Sequence, residues 1–195
     1  METTISSEDY KARTERSYKL LLLVAMISMT MMFAGITSAF VVSKSRADWL
    51  KNFQLPIAFY FSTAVIIGCS ITFHLAKKAI QKDNRFATTT FLLSTLGLGI
   101  AFVILQFVGF GQIVENGYYF TGSESSITTT FLYIVTLVHL LHLAGGIISL
   151  LIIIYNHFKQ KYNSTQTIGI ELGAMYWHFL DILWVFLFLF LYFFK

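Results

Sequence analysis

An all-α membrane protein of five transmembrane helices is the fold class this sequence predicts, and three observations predict it. Hydrophobic residues make up 56% of the 195 and charged residues only 12%, about half the charged share of a soluble domain. The apolar residues gather in five runs, each long enough to meet the roughly 20 residues a helix needs to cross a bilayer. Those runs also lack the alternation of period two that a membrane β-barrel carries.

Taken in order, residues 1–18 are polar and mixed in charge. They read as a cytoplasmic segment and lack the apolar core and small-residue cleavage site of a secretory leader. The spans fall at 19–42, 53–76, 86–109, 127–155 and 168–194, within one transmembrane domain covering 19–195. Pro56 stands in the first turn of the second span, where its missing amide costs little. The same span carries Cys69, the only cysteine of the chain. One thiol allows no internal disulfide and no multi-cysteine metal site, so it reads as a small packing residue. Small residues four apart (Gly35/Ala39, Gly97/Ala101, Gly169/Gly173) are places where helices are expected to approach closely.

Lysine and arginine set the orientation. Ten of the 14 fall on the side of the N-terminus and of the second and fourth loops, including Lys11, Lys77, Lys78, Arg85 and Lys159. Lys44, Arg46, Lys51 and Lys195 fall on the other. The positive-inside rule then puts the N-terminus in the cytoplasm and the C-terminus outside. The third loop, 110–126, carries Glu115 and Glu124 and no basic residue, as an outer loop would. The formal charge of +4 belongs to these short loops beside apolar runs, which points to membrane-surface anchoring and away from nucleic acid.

Chemistry concentrates in the last two spans. His139 and His142 lie three residues apart on roughly one face of the fourth, with Gly145-Gly146 thinning the helix one turn on. The fifth carries Glu171, His178 and Asp181. Glu171 and His178 fall within about 20° of each other around the helix and Asp181 about 60° further round. At 1.5 Å per residue, His142 and Asp181 both lie about 20 Å deep, so a hydrogen bond or ion pair between them across the helices is expected. Ionisable groups at membrane depth mark a packing role, a path or a ligand site. Three readings follow: interhelical glue, a proton or substrate path, and a metal site of histidine and carboxylate ligands. Trp177 and Trp184 share a further face and lie too deep for an interfacial belt. They imply close packing against another span or a partner subunit.

The string Tyr176-Trp177-His178-Phe179-Leu180-Asp181-Ile182-Leu183-Trp184 closely resembles the terminal-helix signature of subunit III of the haem–copper respiratory oxidases. Glu171, the His139-Leu140-Leu141-His142 stretch, Met31-Met32-Phe33-Ala34-Gly35-Ile36 and Leu105-Gln106 match further family motifs in order. The resemblance covers nearly the whole chain from about Lys19 and looks like the short five-helix bacterial form. Two departures stand out: Ser28-Met29 replaces the family's Ser-Glu, and Gly109-Phe110 replaces a Glu-Tyr pair, so no role tied to those carboxylates carries over.

The resemblance implies an accessory subunit with no catalytic residue, no metal and no redox cofactor of its own. It would sit in the inner (plasma) membrane of a bacterium and hold structural phospholipid between its helices. Haem and copper would sit in the partner subunits, above all catalytic subunit I, with subunit II and others beside it. His139, His142, Glu171, His178 and Asp181 would form an interhelical polar cluster. Trp177, Trp184, Gly145 and Gly146 would serve packing or subunit contact, and Lys77, Lys78 and Arg85 would meet lipid headgroups. Within the family, a quinol oxidase or nitric oxide reductase subunit is the alternative. Outside it, the alternatives are a small membrane metalloenzyme or a transporter.

Overall fold

The computed structural model describes residues 7–46, 49–50, 54–122, 125–164 and 166–194. These form five long helices: α1 (Ser7–Val42), α2 (Ile57–Gln81), α3 (Arg85–Glu115), α4 (Ile127–Phe158) and α5 (Ile168–Phe194). All five are long and apolar enough to cross a membrane. Lys51, Glu124, Lys195 and the first residue of the span expected at 53–76 lie outside the described residues.

The starts of α4 and α5 fall where the sequence placed them, whereas α1 begins earlier and α3 ends later. Hydropathy marks where hydrocarbon ends, but a helix continues until something stops it. Ser7 to Tyr18 contain neither glycine nor proline, so α1 extends beyond its apolar window. α3 runs on to Asn116-Gly117, where Gly117 takes φ +81°, a left-handed turn that glycine adopts without strain. The N-terminal ends of α3 and α4 are capped locally. Asn84 accepts from the Ala87 amide, and Ser126 and Thr129 form a reciprocal capping box at α4, each satisfying orphan donors of a first turn.

Buried positions recur at alternating steps of three and four along each central helix. In α2 they are Ser62, Ile66, Cys69, Phe73, Ala76 and Ile80; in α3, Leu92, Thr95, Gly99, Phe102, Gln106 and Gly109. α4 continues the pattern with Leu132, Thr136, His139, Leu143, Gly146 and Leu150, and α5 with Ile170, Gly173, Trp177, Leu180, Trp184 and Leu187. A mean spacing of 3.5 residues is the seam of a left-handed bundle. α2 and α3 make the most extensive pair, and α5 packs against α2, α4 and α1. α1 is peripheral, joining α4 and α5 through Met26, Phe33 and Phe40, seven residues apart.

Two loops close one end of the bundle. Asp83 Oδ1 accepts from the Ser164 amide at 2.9 Å, and the Arg85 guanidinium donates to the Tyr162 carbonyl at 3.3 Å. The small-residue pairs are corrected in part. A side chain at Gly35 or Gly97 would meet nothing within 4 Å, so these face away from neighbouring helices. Gly173 does lie under Ile153, and Gly169 under the Tyr162 ring. The tightest remaining approaches, at Gly99, Gly109 and Gly146, lie on the heptad seam, which pattern-matching on four-residue pairs does not detect.

Candidate functional site

α5 organises the molecule because two of its faces do different work. Its inner face seats Trp177 and Trp184, both fully buried. Trp177 lies in a notch between two glycines: a Cβ at Gly99 would come within 3.1 Å of its ring, and one at Gly146 within 3.3 Å. Trp184 stands edge-on to Phe102 and Phe59, with ring centres 5.1 and 5.9 Å away, and donates its indole N–H to Thr63 Oγ1 at 3.1 Å. Both tryptophans therefore pack within this chain. Gly146 serves the same contact, whereas Gly145 is exposed, with the Tyr176 hydroxyl as its neighbour.

The five polar residues expected to form one cluster are dispersed to different partners. His139 is fully buried and boxed by the rings of Trp184, Phe102 and Phe33 at 5.1, 6.0 and 6.4 Å. His142 turns its Nδ1 to its own backbone, 2.7 Å from the Val138 carbonyl. Glu171 takes the Lys19 ammonium of α1 at 2.9 Å and the Thr167 hydroxyl at 3.0 Å. His178 meets α2, with Nδ1 2.6 Å from Ser70 Oγ. Asp181 is buried with no hydrogen-bond partner on either oxygen, and Ser70 and Cys69 of α2 are the side chains that approach it.

The expected His142–Asp181 bond is therefore not made, and His139 does not substitute for it. Depth along the axis does not decide pairing; azimuth does. Asp181, beside the seam residue Leu180, faces Ser70 and Cys69 of α2, while His142 lies half-buried beside Phe33 of α1. Sequence reasoning missed three partners that this arrangement uses: Lys19, Ser70 and His74. The His74 ring lies 6.3 Å from that of His178. These partners come from helices distant in sequence, and only the seam register, read on all helices at once, could have brought them out.

The outer face of α5 is open. Ile182, exposed on this face, lines two hollows. One, of ≈510 Å³, runs along α1 past Phe33, Thr37 and Val41; the other, of ≈500 Å³, runs along α2 past Ile67, Ser70, Ile71 and His74. Together they make an apolar trough floored by α5 and walled by α1 and α2. Of the three cations expected at headgroups, Lys78 is exposed and Lys77 half-buried on α2, while Arg85 is engaged with Tyr162.

The family model for Cytochrome c oxidase subunit III matches residues 1–195. The chain belongs to the cytochrome c oxidase subunit III family. Cytochrome c oxidase subunit 3 of Spodoptera frugiperda is 33% identical over 140 residues, covering 72% of this chain and 89% of that one. The Drosophila yakuba protein of the same name is 32% identical over 140 residues, covering 72% of this chain and 50% of its own. That of Petromyzon marinus is 31% identical over 143 residues, covering 73% and 51%. The matched stretch thus spans about half the length of the last two relatives. Membership and the five spans together make this a multi-pass membrane protein of a subunit III type.

His139 is closed in by the rings of Phe102 and Trp184, which leaves no flat slot for a haem over its imidazole. Redox copper centres draw on three or more protein ligands, and no three His, Cys, Asp or Glu gather among the described residues.

Proposed function

We propose that this chain is a non-catalytic subunit of a haem–copper terminal oxidase, a cytochrome c oxidase, stabilising the catalytic subunit and holding phospholipid. The trough along α5 carries the reading. It is apolar over most of its length, it opens to the membrane, and α1 and α2 wall it without closing it. Such a trough suits acyl chains, which bury against it by dispersion and shape alone. Lys77 and Lys78 on the α2 wall, with Arg85 just beyond, then stand where lipid phosphates would meet them. Ten of the 14 Lys and Arg on one side support a cytoplasmic N-terminus.

Haem and copper reside in this reading in partner subunits, with catalytic subunit I the main neighbour and subunit II beyond it. The buried polar groups of this chain act as internal positioning. His178 ties α5 to α2, and Glu171 ties α5 to α1.

The test is purification of the tagged chain in mild detergent, with an absorption spectrum, mass spectrometry of partners and lipid phosphorus analysis. Co-purifying haem–copper subunits and retained phospholipid are expected, and the donor-binding subunit found decides between cytochrome c and quinol. A colourless chain without partners overturns the reading. Asp181→Asn should lower the yield of assembled complex and leave the haem bands of the surviving complex unchanged. Lost haem signals in a fully assembled complex would argue against an accessory role.

A further inference from the structure

The α2 wall of the trough carries a feature that lipid holding does not explain. His74 of α2 and His178 of α5 face one another across the groove, with ring centres 6.3 Å apart and planes at 52°. Both line the same ≈500 Å³ hollow. His178 is held by one nitrogen, because its Nδ1 lies 2.6 Å from Ser70 Oγ. The opposite nitrogen, Nε2, is thereby the one left to take a ligand. A histidine with one nitrogen bonded to a neighbouring side chain has the arrangement of a metal-ligating imidazole, whose other nitrogen is fixed in the same way.

We propose that His74 and His178 form an open binding site for a divalent transition-metal ion of the zinc class. Imidazole nitrogens suit such ions and do not suit magnesium or calcium. Bound at about 2.1 Å to a tetrahedral ion, two imidazoles have ring centres roughly 5 Å apart. The pair as it stands must therefore close by about 1 Å, and His74, exposed on the groove wall, has the freedom to do so. No third His, Cys, Asp or Glu ligand gathers there among the described residues, so water completes the shell and the ion exchanges readily.

Charge around the site has two signs. Asp181 is buried near Ser70 and adds a carboxyl beside the bonded serine. Lys77, about one turn along α2, acts electrostatically on both His178 and Glu171 and opposes a cation. The site bridges α2 and α5, which already pack together, so an ion bound there clamps α2 to α5 at the edge of the trough.

Zinc chloride titrated into the purified full chain in detergent tests this, with binding followed by calorimetry and the unfolding midpoint followed in parallel. One saturable site should appear in the wild type and raise the midpoint, because an ion that binds only the folded state stabilises it. His74→Ala, at an exposed position, should fold normally, lose at least about tenfold in zinc affinity and lose the midpoint shift. Ser70→Ala should weaken binding by a smaller factor, and Lys77→Gln should tighten it. His142→Ala should bind zinc as the wild type does. Absence of a saturable site, or equal affinity in wild type and His74→Ala, overturns the proposal.

Discussion

Two faces of the same helix, α5, follow opposite rules. On the inner face, the Trp177 ring fills a notch that glycines leave in α3 and α4, Trp184 packs edge-on to Phe59 and Phe102, and both indoles are fully buried. On the outer face, Ile182 and Phe186 are exposed, and side chains stop short of closing the space between α1 and α2. Hydrophobicity does not separate the two, since lipid tails are as apolar as leucine and offer no solvent drive between helices. What separates them is whether a ring fills the space that small residues leave. Gly99 and Gly146 seat the Trp177 ring, whereas the space beside Ala34, Thr37 and Ser38 of α1 stays open as a trough.

The largest test of that contrast is Trp177→Ala, which empties the notch between Gly99 and Gly146. A loss of about 3–5 kcal/mol is expected for such a truncation, measured as the unfolding midpoint of the chain in detergent. A loss near that of an outer-face substitution would mean the notch does not hold the bundle. Next comes Gly146→Val, which brings a side chain against Leu180 and Trp177 and should cost about 1–3 kcal/mol by overpacking. Combining it with Trp177→Ala should recover part of that loss, because the two compete for one space; strict additivity in the double mutant would break the argument.

Lys19→Gln probes a weaker link. The ion pair to Glu171 is partly exposed, with side-chain exposures of 41% and 24%, so about 0.2–1 kcal/mol is expected, seen as a small, salt-sensitive drop in the midpoint. The smallest effects belong to positions with no neighbour. Gly35→Ala and Gly97→Ala should stay within about 0.5 kcal/mol of wild type. Ile182→Ala should do the same while changing the phospholipid retained on purification. A large destabilisation from either glycine would show a packing partner at that face.

Much of this was legible beforehand, though unevenly. The five spans could be read because bilayer thickness sets a length that composition reveals directly. The terminal signature from Tyr176 to Trp184 could be read because aromatic and ionisable residues deep in a span are rare. The partners of His178 and Asp181 could not. An angle around one helix says which residues share a face and leaves open which neighbour that face meets. Depth matched His142 to Asp181, and the seam turned them to different helices.

The sequence by itself determined that this chain crosses a membrane five times and carries a subunit III signature, because those properties are additive along the chain. Only the tertiary structure decided that Glu171 meets Lys19, that His178 meets Ser70 and His74, and that Trp177 seats on Gly99 and Gly146. Those pairings depend on the relative rotation of whole helices. That rotation is set by the summed fit of every seam position at once, a property no single helix contains.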